Sequence, residues 1–315
     1  MHTQLHAGRK GPELHQPDPE HVTVNTLFSS DLYCINDFTC YSGGRRVFKP
    51  AFTPTFCINI SRKGYFTFHS FRQVQEEFNS RILVEKPGCE FLLKQQQPGL
   101  GACTVIRFTH HAYEAIREKY KLRDISFFLN ENIFSHILVA TPETDYYHDA
   151  ILKSLASNCA PALELDSLVL DLLDAVMQLL TGQSPPVTIS ESTKRNHLST
   201  IERAKEFMLE NFSTDISLQQ LARHCFVSPF HFCRLFKLFC GYTPFQYLQH
   251  LRLKHAETLI STTDLPVTDV CFRSGFNRLD YFSAAFAKKY SLSPSKYKSG
   301  AMNKKPAMPP SGNLL

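Results

Sequence analysis

The chain has 315 residues, a formal net charge of +5, 43% apolar and 20% charged residues. That length predicts two domains, and the balance is that of an ordinary soluble globular protein. No apolar run approaches the roughly 20 residues of a spanning helix, and ten scattered cysteines without a C-x-x-C pair or an apolar leader point away from membrane and disulfide-framework proteins, toward free thiols in a reducing cytoplasm.

The charge is unevenly placed. Residues 196–300 hold 13 Lys and Arg against 8 Asp and Glu, whereas residues 1–195 hold 19 against 21. A basic C-terminal half predicts an anionic partner for that half.

Residues 1–20 are polar and rich in Pro, Gly and His, and are expected to be a disordered tail. Residues 21–181 are expected to form one domain, strands first and then helices. From about 22 to 108 the pattern is strand-like: CINISRKGYFTF turns at Lys63-Gly64, SRILVEKPGCEFLL turns at Pro87-Gly88, and QPGLGACTVIRF repeats the idea. Short strands with turns every 8–12 residues predict a sandwich or small barrel. Helical periods follow at His110–Leu122, Tyr146–Asn158 and Leu165–Leu180. The last carries an apolar stripe wide enough for a core and a partner helix. Residues 182–196 lack periodicity and are rich in Ser, Thr and Pro, so they are expected to be a linker. Residues 197–298 are helical in pattern, and 299–315 again read as a disordered tail.

The helical half repeats itself. A shift of 50 residues places Phe232 on Phe282, Phe236 on Phe286, Pro244 on Pro294 and Tyr247 on Tyr297. Just upstream, a shift of 49 places Leu221 on Val270 and Val227 on Phe276. Each unit reads as helix, tight turn, helix. In the first, Ser217 with Gln220 forms a capping-box pattern, and Ser228 caps a second helix that begins at Pro229. In the second, Gly275 suits a turn position of positive φ and Asn277 is the expected cap.

At about 100° per residue, Phe232, Leu235, Phe236 and Phe239 share one face of the helix after Ser228. Phe230, Arg234 and Lys237 share the opposite face, flanked by His231. A basic face on the second helix of a helix-turn-helix is where the major groove is read. Arg234 suits guanine O6 and N7, Lys237 a phosphate, and Phe230 a thymine methyl. The plain alternative is a solvated basic face. In the second unit Asp280, Ala284 and Ala287 fall at the matching positions, so that face has no cation; Asp280, which suits cytosine N4 though an acidic residue near DNA costs affinity, joins Asn277, Arg278, Tyr281, Ser283 and Lys288 as candidates for weaker or phosphate-directed contacts. Between the units, Tyr247, Leu248, Leu251, Ala256, Leu259 and Ile260 predict one connecting helix. Ile201, Ala204, Phe207 and Met208 predict a further helix ahead of the first unit.

Residues 197–298 resemble the DNA-binding domain of the AraC/XylS family of bacterial transcription regulators. SLQQLARHCFVSPFHFCRLFK, GYTPFQYLQHLRLKHAETLI and the run with Gly275, Phe276, Tyr281, Phe282, Phe286, Lys288, Ser293, Pro294 and Tyr297 carry the resemblance. It implies a seven-helix domain with two helix-turn-helix units on successive major-groove segments of double-stranded promoter DNA. It also implies an N-terminal cupin-like β-barrel with helices that takes a small-molecule effector and forms a homodimer, with RNA polymerase as partner and activation as the usual outcome. The sequence departs from the family at Ala284, where a cation is common, and at Cys225-Phe226, where a small residue or Gly is common.

The fold class expected is therefore α+β multidomain: a cupin-like barrel with helices, then an all-α domain with two helix-turn-helix units. The function expected is a cytoplasmic, non-enzymatic regulator governed by an effector on the N-terminal domain; a protein partner acting there is the alternative. No metal or cofactor is expected, because His69 stands alone and His110-His111 point about 100° apart on a helix. Effector-contacting residues are not readable.

Overall fold

The computed structural model describes residues 22–70, 73–121, 125–157, 162–182 and 187–302. The tail expected over 1–20 and most of that over 299–315 lie outside them. The chain divides into two compact units, residues 1–138 and 139–315.

In the first unit, β1 (Val22–Ser29), β2 (Tyr33–Ser42), β5 (Cys57–Lys63), β8 (Arg81–Glu85), β10 (Gly99–Phe108) and β11 (Ser135–Val139) form a six-stranded sheet in the order β1-β2-β10-β5-β8-β11. A second sheet runs β3 (Arg46–Val47), β9 (Cys89–Gln95), β6 (Tyr65–Ser70), β7 (Gln73–Phe78), with β4 (Ala51–Thr53) also on β9. The chain changes sheets at the expected Lys63-Gly64 turn. Gly64 has φ 91°, and a Cβ there would lie 2.9 Å from the Phe66 ring, so only glycine fits. It returns between β7 and β8 through Ser80, also at positive φ. The inner faces meet at Phe68, Leu83 and Cys89. The expected barrel is thus open: among the described residues no ladder joins the two sheets into a ring. α1 (His110–Lys121) and α2 (Ser126–Leu129) complete the unit.

The second unit is helical: α3 (Pro142–Ala156), α4 (Ala162–Gly182), α5 (Glu191–Asn211), α6 (Leu218–His224), α7 (Pro229–Cys240), α8 (Pro244–Thr262), α9 (Val267–Arg273), α10 (Leu279–Tyr290) and α11 (Pro294–Met302). Its boundary differs from the one expected at 182–196. Helices α3 and α4, grouped by sequence with the strands, pack on each other, and α3 packs on α8. The cause is polar and buried. Asp145 on α3 accepts from Lys205 Nζ at 2.9 Å and from Tyr247 OH at 2.7 Å, while Tyr146 meets His255 Nδ1 at 3.0 Å. Part of the expected linker is helix as well: Ser190 caps α5 by accepting from the Thr193 N–H, and Lys194 is buried one turn on. Residues 183–186 lie outside the described residues. α11 likewise continues past 298 to Met302. No described helix is long and apolar enough to cross a membrane, and the nine described cysteines are free thiols.

Candidate nucleic-acid interface

The two helix-turn-helix units share one construction. In the first, Phe232 and Phe236 lie 5.6 Å apart and Phe236 meets Tyr247 edge-on at 5.2 Å and 80°. In the second, Phe282 and Phe286 lie 5.6 Å apart and Phe286 meets Tyr297 at 5.5 Å and 82°. The sequence repeat is therefore a repeat of packing, with the same rings in the same places.

The backbone repeats too. Each unit has two left-handed residues, one in the turn and one at the end of the second helix. The first unit places Phe226 (φ 58°) in the turn and Gly241 (φ 78°) at the helix end; the second places Gly275 (φ 82°) in the turn and Ser291 (φ 61°) at the end. Glycine is the residue that adopts this region without a Cβ penalty. At 275 it is also required by space, because a Cβ would lie 2.7 Å from the Phe212 carbonyl oxygen. At 226 the chain holds a phenylalanine whose ring is 83% exposed, with the Arg203 guanidinium 5.6 Å from its centroid.

Helix α7 divides as its periodicity predicts. Ser217 and Gln220 form a reciprocal capping box on α6, and the Ser228 hydroxyl accepts from the His231 N–H, starting α7 at Pro229. Phe232, Leu235, Phe236 and Phe239 are buried, whereas Ser228, Phe230, His231, Arg234 and Lys237 are exposed. Phe230 is 75% exposed, and the Arg234 guanidinium sits 5.9 Å from its ring centroid, one helical turn on. Among the described residues neither Arg234 nor Lys237 is in an ion pair. The His231 ring packs edge-on against His197 of α5 at 5.1 Å. Burial and the nearby His231 hold the His197 pKa below its usual value.

The α10 face is built differently. Arg278 donates from Nη2 (2.6 Å) and Nε (3.2 Å) to the two Asp280 oxygens, and this bond, first, holds the Asp280 carboxyl below its usual range. Both side chains are largely exposed, at 71% and 67%. Asp280 is thus already an acceptor for Arg278, and Arg278 is already occupied. Tyr281 accepts at its hydroxyl from Gln249 Nε2 of α8 at 2.6 Å. Lys288 and Asn277 are exposed and Ser283 is half-buried. Asn277 is not the helix cap: Arg278 occupies that position, and no side chain caps α10.

Sequence reasoning missed the Arg203–Phe226, His197–His231 and Gln249–Tyr281 contacts, since each pairs different elements. The alignment of Phe226 on Gly275 was the available sign of the first. The N-terminal unit holds, between its sheets, a cavity of about 560 Å³.

Residues 221–300 match the family described as "Helix-turn-helix domain". Over 92 residues the chain is 36% identical to the MmsAB operon regulatory protein of Pseudomonas aeruginosa, which covers 29% of this chain and 30% of that one. Over 164 residues it is 24% identical to the regulatory protein PocR of Salmonella typhimurium, covering 50% of each. The chain thus spans about a third of the first relative and half of the second. Among solved structures, ToxT from Vibrio cholerae aligns at 13% identity over 85% of this chain and 98% of that one, with a TM-score of 0.33.

Proposed function

We propose that residues 221–300, which match a helix-turn-helix family, form an AraC-type DNA-binding domain, and that the protein is a sequence-specific transcription regulator. In this reading it is a cytoplasmic activator rather than an enzyme, and its DNA affinity is set by a small effector acting on the N-terminal unit. The exposed Phe230–Arg234–Lys237 face of α7 carries the reading. It presents one fork donor, one point charge and one apolar ring on a helix whose other face is locked into the core. These are the groups that bond guanine, contact phosphate and pack on a thymine methyl. Helix α8, 19 residues and so about 28 Å long at 1.5 Å per residue, is a rigid spacer between the units. Such a spacer suits two major-groove segments about 34 Å apart. With α7 carrying two unpaired cations and α10 a closed Arg278–Asp280 pair, the first unit does most of the base reading.

Promoter DNA, RNA polymerase and a second copy of the chain are the partners of this reading. An effector shifts the DNA-competent population only by its differential affinity for the two states. The cavity favours a small molecule over a protein partner on that unit. The test is to sequence the DNA retained by the purified protein from a random pool, with and without a metabolite mixture. A single enriched motif with two half-sites one helical turn apart is the expected result. Failure to retain DNA at low salt in every condition removes the reading.

A further inference from the structure

The cavity in the N-terminal unit has a chemistry of its own. Its volume lies within the range of small-molecule sites. Its walls are largely hydrocarbon: Phe38, Phe48, Phe68, Phe91 and Leu83 all face it. Its floor is a polar row on the six-stranded sheet. Arg107 on β10 lies opposite Cys57 on β5, and Cys57 opposite Glu85 on β8, so the three side chains share one face.

Arg107 is the cation of that row, and it acts on Glu85 through space without a hydrogen bond between them. The two Glu85 oxygens are taken by Thr53 Oγ1, at 2.7 Å, and by Asn59 Nδ2. Glu77 accepts from Ser61 Oγ at 3.2 Å. Burial pushes both carboxyls upward, Glu77 to about 7, while the hydrogen bonds from Thr53 and Asn59 and the charge of Arg107 pull Glu85 the other way. The Arg107 side chain makes no hydrogen bond or ion pair among the described residues. Its Nε is buried without a hydrogen-bond partner, and no carboxylate pairs with its guanidinium among the described residues. A buried donor left in this way is costly, and in a natural protein it calls for an explanation. A guanidinium among aromatic walls is matched by a planar, bidentate anion attached to an apolar body.

We propose that this cavity binds a small carboxylate with an aromatic or branched hydrocarbon tail, its carboxylate on the Arg107 guanidinium and its tail against the phenylalanines. The inference rests on the reading of the N-terminal unit as the effector-binding part. It assigns that effector a class: monoanionic and amphipathic, neither a sugar nor an amine.

The experiment uses the full chain and three probes with one tail: 4-phenylbutyrate, 4-phenylbutylamine and 4-phenylbutanol. Binding is followed by calorimetry and by the shift in melting temperature. The carboxylate is expected to bind at least tenfold more tightly than the amine or the alcohol. Arg107→Gln is expected to remove that advantage while leaving alcohol binding unchanged. Should Arg107→Gln fail to fold, Arg107→Lys keeps the charge without the fork and is expected to weaken the carboxylate several-fold. Equal or tighter binding of the amine overturns the proposal, as does wild-type carboxylate affinity in either variant, or binding by none of the three at millimolar concentration. DNA retention by the ligand-free chain is measured in parallel. Its loss alone sinks the regulator reading, whereas absent carboxylate binding with intact DNA retention sinks only this one.

Discussion

Arg234 and Lys237 are neighbours on α7 but differ in kind. Arg234 has a fork of donors, the geometry that suits bidentate recognition, and Phe230 lies under its guanidinium at 5.9 Å. Lys237 is a point charge. Their alanine variants therefore fail differently. Arg234→Ala is expected to cost about 1–3 kcal/mol of specific binding and to relax preference at one base pair. Lys237→Ala is expected to weaken all sequences alike and to lower the salt slope by about 1. Binding isotherms on matched and mismatched duplexes at several salt concentrations separate the two; an unchanged preference in Arg234→Ala removes it from base reading. The split of α7 into a core face and an exposed face was legible because a 3.6-residue period needs only the order of residues. The Arg278–Asp280 pair was not. Residues two apart do not face each other along a helix, and here they meet because Arg278 is the extended cap residue, with φ −143°. Glu77 makes a second residue-scale prediction. Its folded pKa, raised to about 7 by burial first and then by Glu85, exceeds the unfolded value of about 4.3. The folded state then binds the extra proton between these values, so stability falls as pH rises through that window and levels off above about 7. The loss is about 4 kcal/mol on the scale of 1.36 kcal/mol per unit. Glu77→Gln is expected to flatten that slope and to be the more stable form at pH 8. Denaturation midpoints at pH 5, 6, 7 and 8 decide; a parallel slope in the variant clears Glu77 of the effect.

Between the two helix-turn-helix units the same backbone is realised with glycine in opposite places, and this gives a comparison at the level of the element. Gly275 answers both to φ 82° and to the Phe212 carbonyl oxygen 2.7 Å from any added Cβ. Gly275→Ala therefore combines a left-handed penalty of about 1–2 kcal/mol with an overpacking cost of about 1–3 kcal/mol. Phe226 occupies the corresponding turn position at φ 58° with its ring in solvent. Phe226→Gly relieves about 1–2 kcal/mol of strain and returns about 0.5–1 kcal/mol to the unfolded chain. It should unfold no earlier than wild type, whereas Gly275→Ala should unfold well before it. Urea melts of the two variants test the pair, and a strongly destabilised Phe226→Gly would show instead that the Arg203 contact holds the turn. The repeat, the caps at Ser217 and Ser228 and the connecting helix were all legible, because each is written in local spacing. The cap of α10 was misplaced by one residue, since Asn277 is the better capping type while the backbone turns into the helix only after Arg278.

At the scale of the molecule, the strand order, the cavity and the unit boundary were the parts least legible, because all three depend on pairings distant in sequence. The strand run left a sandwich and a small barrel both open; crossings at Gly64 and Ser80 divide it into two sheets. The boundary is the sharper case. Composition placed a break at 182–196, where Pro and Ser cluster, yet the compact C-terminal unit starts at Val139. What overrides composition is Asp145, a single carboxylate on α3 that is buried with Lys205 of α5 and Tyr247 of α8. No window of sequence connects positions 60 and 102 residues apart. Removing one member of a buried ion pair costs about 3–5 kcal/mol, far more than an exposed pair returns. Asp145→Ala is therefore expected to destabilise the whole helical unit by about that amount, and Asp145→Asn, which keeps acceptor geometry without charge, by less. Hydrogen exchange locates the effect. If α3 belongs to this unit energetically, amides of α5 and α8 around Lys205 and Tyr247 exchange faster in Asp145→Ala, along with those of α3. If only α3 amides accelerate, the helix is an appendage and the unit proper begins at α5, as the composition of 182–196 implied.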